Sequence, residues 1–593
     1  MSRKGRRSRI PPSVAAPAAT GGDRSAALFV VLVVLLLVRA AGAFAPSPHL
    51  WAFDFQAHLP PLTAWLPWLL AALALIPPVA VRIERMVARR TPGFGFALAL
   101  AALLVTIVLV LPDRLHFVGD ANLRFGNLTV DEDPGKLFPQ ASAADIALHY
   151  RLPRTLADRL GVARESLPHA LGAVWAVLLA GLAVLAARRF GARGPAALAV
   201  AGAIAFGGTL ALTTGYLKAF VELALVTGFA GVAAVRVARE GRGLLLLGLA
   251  VAAALLLHRS ALALLPLLVV TWGIAAGPRR AQVPWRHPAT WIGVLAPLAA
   301  LAQMLPGALA TLRSFDLPRH VATSTTRQSG GALAAALAPH HLVDVANLLI
   351  VLAPLALVVP VLLGIRRERR SECVALAALL LPWLAVVLFI HPQQGLYRDW
   401  DVFAPAGMAL AVTAAWHLSG VLEHGRPGLA LAVTLAAFAP AFQWVALQHD
   451  VPRALARIES RLDRTPWVGA TERATSLDFV GMHYIGLGRT EDADRALEHA
   501  VDAAPNPRLI VEWGVAALTR GDFVKARSIF QRAAALDSNL VGAWRGLVTA
   551  ASALGDLAEL ERGTRELERL VPDDPLIRDA RTVLEQSRTA PHR

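Results

Sequence analysis

The chain has 593 residues, 56% of them apolar and only 17% charged, with a mean hydropathy of +0.52. An average soluble domain is about 25% charged, so a single soluble globular enzyme is excluded, and so is a disordered chain, which needs low hydrophobicity. The net charge is +16, from 58 Lys+Arg against 42 Asp+Glu. Most of the excess sits in short clusters between apolar blocks. That pattern fits a membrane protein following the positive-inside rule, not a nucleic-acid binder. One cysteine, Cys373, excludes an internal disulfide and a cysteine metal site.

Residues 1–25 form a basic tail, with Arg3, Lys4, Arg6, Arg7 and Arg9, and are expected to be cytoplasmic. The apolar run 26–45 reads as an uncleaved signal anchor. Its hydrophobic region is long, and Arg39 interrupts it near Ala43-Phe44-Ala45, the would-be cleavage site. Further apolar blocks lie near 62–81, 94–112, 170–187, 195–214, 217–236, 243–258, 260–276, 289–310, 342–364, 373–391, 402–418 and 428–447. Crossing hydrocarbon takes roughly 20 residues of helix, so these predict about 13 spans. The expected fold class is all-α: a polytopic transmembrane bundle over 26–447 with a helical repeat domain behind it.

Alternating from a cytoplasmic N-terminus, the inside loops collect Arg82/Arg85/Arg89/Arg90, Arg188/Arg189/Arg193, Arg236/Arg239/Arg242, Arg279/Arg280/Arg286 and Arg366/Arg367/Arg369/Arg370. The outside then receives two long loops, 113–169 and 311–341, and everything after Leu447. The first loop has no excess of basic residues and carries Asp113, Asp120, Asp131, Glu132, Asp133, Asp145, Asp158 and Glu165. Its stretch 141–160 has apolar Ile146, Leu148, Leu152, Leu156 and Leu160, which suggests an amphipathic helix lying in the interface.

Residues 448–475 read as a linking helix. From 476 to 590 a repeat is visible. Gly488 is followed by Ala493, Leu497, Ala500 and Pro505; Gly521 by Ala526, Phe530, Ala533 and Ser538; Gly555 by Leu560, Thr564, Leu567 and Pro572. The common spacing and a period near 34 residues resemble the tetratricopeptide (TPR) family. TPR arrays commonly bind a peptide or partner protein, so the resemblance implies a protein or glycan acceptor, or a packing role against the membrane part.

Ionisable residues at membrane depth cost about 2.5–3.5 kcal/mol on the insertion scale and are functional hypotheses by default. Five groups stand on the outer face. Asp120, within His116–Arg124, has the chemistry of a general base, against the alternative of a helix cap. Lys218 and Glu222, four apart, are expected on one helix face, as a cavity wall or a self-neutralising pair. His258 and Arg259 are candidates for phosphate or substrate contact. His340 and His341, with Asp344, form the mouth of a later span. Finally, Arg398-Asp399-Trp400-Asp401 combines a bidentate phosphate binder with an Asp-x-Asp pattern. Here the competing reading is that Asp401 caps the next helix while Arg398 pairs with Asp399. No metal site is assigned, no cofactor is expected to be required, and a divalent metal is the less favoured option. No P-loop, G-x-S-x-G elbow or HExxH is present.

Many helices, a large first outer loop with acids and an interfacial helix, and polar groups gathered on one face resemble the GT-C superfamily of membrane glycosyltransferases. With the C-terminal repeats, about 90–590 looks like the TPR-bearing protein O-mannosyltransferases and their bacterial relatives. The resemblance implies transfer of a sugar from a polyprenyl-phosphate donor to an extracytoplasmic acceptor, with inversion. It places Asp120 as the catalytic acid of the first loop, and Arg398, Lys218 or His258 at the donor phosphate. Asp399, Asp401, Arg259, His340 and His341 complete the candidate binding set. The chain departs from the family in two ways. The loop follows the third span instead of the first, and the frequent paired acids are replaced by Asp120-Ala121, with Asp131-Glu132-Asp133 about ten residues on.

Two rival classes stand beside this reading. One is an O-antigen ligase or polymerase-like enzyme, using Arg319, His320, Arg327, His340 and His341 of the late loop. The other is a non-catalytic, membrane-anchored TPR scaffold for envelope assembly. A transporter is weaker, because no inverted halves are visible. The expected partners are a polyprenyl-phosphate-linked sugar and the lipid bilayer, and no nucleic acid. The expected location is a bacterial inner (cytoplasmic) membrane, with the N-terminus cytoplasmic and the repeats outside.

Overall fold

The computed structural model describes residues 20–88, 92–130, 132–363, 369–423 and 427–589. The basic run Arg3–Arg9, and Arg89, Arg90, Asp131, Arg366 and Arg367, lie outside these. The described residues are helical throughout, with turns and no strand. Among the described residues, eight helices are long and apolar enough to cross a membrane: Arg24–Phe44, Arg164–Phe190, Phe220–Glu240, Arg259–Ala276, Pro288–Val321, Arg370–Phe389, Trp400–Leu422 and Leu429–His449. The pair Pro61–Leu73 and Pro77–Met86 would make nine, but it bends by 90°. Pro77 and Pro78 account for the bend, because neither offers an N–H to continue the ladder. The other apolar blocks form shorter helices, Phe94–Val110, Pro195–Ala205, Leu244–Leu257 and Pro339–Leu352. The number of helices of spanning length is therefore smaller than the number of apolar blocks.

Burial sorts these helices. Trp400–Leu422 has 94% of its apolar window buried and Phe220–Glu240 has 83%, so they form the centre; Pro288–Val321, at 22%, is peripheral. The outward side chains are themselves apolar, among them Leu66, Leu69, Leu70, Val174, Val177, Leu295 and Leu298. A water-facing surface would not carry so many large hydrophobics, whereas lipid-facing helices require them. Small residues set the close crossings. Leu244–Leu257 meets Pro288–Thr311 at Gly248 and Gly293, where an added Cβ would overlap the partner backbone.

Residues 143–160 are helical, and the expected leucine stripe is there. Leu152 and Leu160 are exposed and Leu148 and Leu156 half-buried, while Ile146 turns inward. Over Ala147–Arg151 the helix widens to a π turn, with Leu152 N–H bonded to Ala147 O. Pro153 explains this, since its ring displaces the regular pattern one turn back.

Beyond the membrane helices, Val451–Arg464 packs against the end of the bundle that carries Trp51, Asp54 and Tyr397. Buried Arg457 donates to Asp54 Oδ1 (2.9 Å), Tyr397 Oη (3.0 Å) and Trp51 O (2.6 Å). Antiparallel pairs follow: Ala470–Gly486 with Thr490–Ala503, Pro507–Thr519 with Phe523–Leu536, and Val541–Leu554 with Leu557–Leu570, then Pro575–Thr589. Gly488, Gly521 and Gly555 occupy the turns at φ of 72°, 77° and 68°, a backbone that only glycine adopts freely. The Ala470–Gly486 helix starts within the segment expected to be a link. Its Leu477, Phe479 and Val480 belong to the same apolar core as the membrane helices.

Candidate functional site

The first outer loop leaves the Phe94–Val110 helix and is tied down at once. Asp113 N–H donates to Thr214 O (2.9 Å), and the Asp113 carboxylate accepts from the N–H groups of Leu115 and His116. His116 has φ 53° and stacks on Phe125 at 4.3 Å. A non-glycine residue in that region is uncommon and marks a tightly determined turn. Gly119 follows at φ +58°. Its N–H donates to Arg398 O at 2.9 Å, and an added Cβ would lie 2.8 and 2.9 Å from the Asp401 carboxylate oxygens. The two loops singled out from sequence therefore pack directly on each other.

Asp120 precedes the Ala121–Gly126 helix but makes no side-chain cap bond. Its carboxylate turns instead to Lys218, with which it forms an ion pair, and to Arg124 Nε at 3.9 Å. Lys218 Nζ is also 3.4 Å from Asp401 Oδ2, and Tyr216 Oη donates to the same oxygen. Exposure falls inward: 25% for the Asp120 side chain, 15% for Lys218, none for Asp401. A partly exposed carboxylate thus stands over a cation, which stands over a buried carboxylate. The position between the two acids, where a divalent cation would sit, is filled by the Lys218 ammonium. Among the described residues no three His, Cys, Asp or Glu side chains gather to ligate a metal.

The expected pairing of Lys218 with Glu222 is corrected. The helix begins at Phe220, so Lys218 lies ahead of it and reaches the first loop. Glu222 Oε1 instead meets His149 Nε2 at 3.2 Å. His149 Nδ1 is 2.9 Å from Asp145 Oδ1, and Asp145 accepts from Arg124 Nη1 at 3.1 Å. Arg124 also donates to Leu217 O (3.1 Å). Charges thus run from Lys218 and Asp120 through Arg124, Asp145 and His149 to Glu222, tying the first loop to the Phe220–Glu240 helix. Burial works against the imidazolium, but Glu222 and Asp145 outweigh it and push His149 up to about 10. Burial likewise works against the Asp145 carboxylate, but His149 and Arg124 hold it down at about 2. His149 escaped the sequence reading, although it stands four residues after Asp145, the spacing of an ion pair on one helix face.

The 391–401 loop divides its residues. Asp401 receives Tyr216 and Lys218 and does not cap the next helix; its Oδ1 has no hydrogen-bond partner among the described residues. Half-buried Asp399 accepts from Gln394 N–H (3.3 Å). Burial, then the charge of Asp401, pushes it up to about 7, against the pull of Lys218 and Arg398. Arg398 makes no ion pair with Asp399 at bonding distance. It is buried, donates from Nη1 to Thr475 O (2.7 Å), and lies over the rings of Phe117 (5.1 Å) and Phe479 (5.2 Å). Its guanidinium is committed to the Ala470–Gly486 helix.

Among the described residues, the remaining candidates make no hydrogen bond or ion pair to Asp120, Lys218 or Asp401, although His258 and Lys218 share the Phe220 ring. His258 Nδ1 is 2.8 Å from Ser260 Oγ, and its ring packs on Phe220. Arg259 forks onto Asp316 (2.5 and 2.6 Å), near the end of the Pro288–Val321 helix, and donates to Gln140 O, joining that helix to the 113–169 loop. His340 is exposed, whereas buried His341 has Nε2 3.1 Å from Leu388 O and its ring against His391. In the late loop, Arg319 lies over Phe315, His320 O accepts from His391 N–H, and Arg327 is exposed.

No family model and no curated protein matches the chain. Among solved structures, it is similar to the first TPR of Spaghetti (RPAP3) bound to the HSP90 peptide SRMEEVD. The TM-score is 0.19 and the identity 24%, over 20% of this chain and 95% of that one. At that coverage the likeness carries nothing about the cluster around Asp120.

Proposed function

We propose that the protein is an integral membrane glycosyltransferase of the GT-C kind, moving a sugar from a polyprenyl-phosphate donor to an acceptor outside the membrane. The observation that supports this best is Asp120, partly exposed and uncapped, ion-paired to Lys218 beside Asp401. In the proposed reaction Asp120 accepts the proton of the acceptor hydroxyl. The acceptor oxygen attacks the anomeric carbon, and the bond from that carbon to the phosphate oxygen breaks. The lipid phosphate leaves with the electron pair, and Lys218 offsets its charge. Attack opposite the leaving group inverts the centre and needs one base only. Tyr216 and Asp401 hold Lys218 in place from below. Arg398, expected at the phosphate from sequence, becomes a positioning residue in this reading.

The same reading sets the protein in a bacterial inner membrane with the N-terminus cytoplasmic, on the arginine alternation. It takes the paired helices after Ala470 as a TPR array outside the membrane, on the glycine-punctuated repeat, with an acceptor protein or glycan as its partner.

The test uses the purified full-length protein in lipid with radiolabelled polyprenyl-phosphate sugars, scoring transfer and donor hydrolysis. Asp120→Asn is expected to lower turnover by roughly 10²-fold or more, the usual weight of a general base. Lys218→Met is expected to be as damaging, with folding monitored by chromatography. Full turnover in both variants would discard this site. Turnover lost instead on Arg319→Ala or His340→Ala would favour the ligase reading.

A further inference from the structure

A second site is built at the opposite end of the bundle, and it owes nothing to the sugar-transfer reading. The Pro77–Ala88 helix leaves Pro61–Leu73 at 90°, so it lies across the ends of the membrane helices. It is pinned there by Glu84, whose carboxylate accepts from Gly428 N–H (2.7 Å) and Leu431 N–H (3.0 Å) at the start of Leu429–His449. That is a favourable place for a negative charge, since helix N-terminal N–H groups lack partners of their own. Val79, Ile83 and Met86, spaced by four and three residues, remain exposed at 45%, 41% and 73%. An apolar stripe with arginines beside it is the pattern of a helix lying in the membrane interface.

Between this helix and the bundle is a cavity of about 650 Å³, within the usual range of ligand sites of roughly 300–1,000 Å³. Arg85, Arg193, in the turn after Leu167–Phe190, and Glu423 are among the residues that line it. All three are exposed, and none makes a hydrogen bond or ion pair among the described residues. Glu84 keeps its charge but has both oxygens on backbone N–H groups, so among the described lining residues the charged side chains still open to a ligand are two guanidinium groups and one carboxylate. Leu422 and Ala430 supply apolar wall.

We propose that this cavity holds the headgroup of a bilayer phospholipid, phosphatidylethanolamine. Arg85 and Arg193 take the phosphodiester oxygens, a charge-assisted contact that guanidinium groups make well. Glu423 takes the primary ammonium, which offers three N–H donors. The acyl chains leave toward the exposed stripe of Val79, Ile83 and Met86. A quaternary choline lacks N–H donors, and a glycerol headgroup lacks the cation, so each satisfies one half of the site only.

The experiment titrates delipidated full-length protein in detergent with phosphatidylethanolamine, phosphatidylglycerol or phosphatidylcholine vesicle lipid, and separately with inorganic phosphate, scoring bound adducts by native mass spectrometry. Phosphatidylethanolamine is expected to bind at least tenfold more tightly than phosphatidylcholine. Glu423→Gln should abolish that preference, and the double variant R85A/R193A should weaken both lipids at least tenfold. Arg82→Ala, on the same helix but outside the cavity, should leave binding unchanged. If R85A/R193A does not run as a monodisperse protein, the two single variants carry the test, each with an expected loss of at least threefold. Lipid binding indifferent to Arg85 and Arg193 would overturn the proposal. So would phosphatidylglycerol bound more tightly than phosphatidylethanolamine, or inorganic phosphate displacing the lipid at equal concentration, which would mark a free-phosphate site.

Discussion

The N–H of Gly119 donates to the carbonyl of Arg398 across 2.9 Å, although most of the membrane helices separate the two in sequence. One backbone bond thus docks the 113–169 loop onto the 391–401 loop. Because the side chain of Arg398 holds Thr475 O, the same residue carries the contact on to the C-terminal helices.

Gly119→Ala tests that docking. Left-handed backbone costs a non-glycine residue roughly 1–2 kcal/mol, and at φ +58° an added Cβ would also press on the Asp401 carboxylate. Gly161 is the control, at φ +64° with nothing within 4 Å of an added Cβ. Gly161→Ala is expected to show the backbone cost alone, and Gly119→Ala clearly more. Thermal unfolding in detergent measures both, and equal losses would refute the contact with Asp401.

Arg398→Ala is expected to loosen Ala470–Gly486 from the membrane helices. The lost charge-assisted bond to Thr475 O is worth about 1.5–3 kcal/mol, and the rings of Phe117 and Phe479 lose their cation as well. Arg398→Lys should rescue poorly, because an ammonium cannot stack as a flat guanidinium does. Amide exchange within Ala470–Gly486 should rise in both variants. Protection at the wild-type level would mean that other contacts hold the helix.

These contacts show which part of the site was legible from the amino acids alone. Asp120, Lys218 and Asp401 stood out because charge among apolar blocks is costly, and the structure brings the three together. Their partners were not legible, because local spacing suggests local pairing. Lys218 and Glu222 had the four-residue separation of a helical pair, but the helix begins between them at Phe220. His149 was hidden by the leucines around it, which drew the eye to the outer face of its helix while it faced inward. Arg398 has the chemistry of a phosphate binder, and only packing could reveal that Phe479 and Thr475 already occupy it. The apolar blocks were found as helices for a simpler reason: Leu, Ala and Val runs without polar punctuation have few other ways to fold. Their lengths were less legible, since Gly207 and Pro354 interrupt blocks that composition reads as continuous.

His149 gives a pH signature. Its proton affinity rises from an ordinary value of about 6.5 to about 10 on folding. The stabilisation is therefore complete below about 6.5, declines above it, and is gone once the pH passes about 10. Wild-type protein should lose unfolding temperature across that window more steeply than His149→Gln does. Parallel pH profiles would show that the imidazole carries no charge between Asp145 and Glu222.

Asp399 also loses support as pH rises, but here it is the charged form that burdens the fold, so removing the charge should stabilise. Its carboxyl rises from about 3.8 to about 7 on folding, so its neutral form favours the fold at low pH and that support is lost as pH rises through about 7. Asp399→Asn keeps an acceptor for Gln394 N–H and removes the charge beside Asp401. It should raise the unfolding temperature at about pH 9 relative to wild type, and raise it less at about pH 5. A gain of equal size at both pH values would detach the effect from ionisation.

Lys218 is the cation between two acids, so its removal should cost more than its own contacts. Lys218→Met leaves Asp401 fully buried, with Tyr216 as its remaining donor, and leaves Asp120 facing it. Removing one member of a buried charge set typically costs about 3–5 kcal/mol, whereas an exposed pair is worth about 0–1 kcal/mol. Asp120→Asn in the same chain lowers the repulsion and should restore part of the loss. A double-mutant cycle on unfolding free energy in detergent isolates the coupling, because the two side chains touch each other directly. A coupling near zero would place Lys218 with the surface cations, and would take away the arrangement on which its proposed role at a donor phosphate rests.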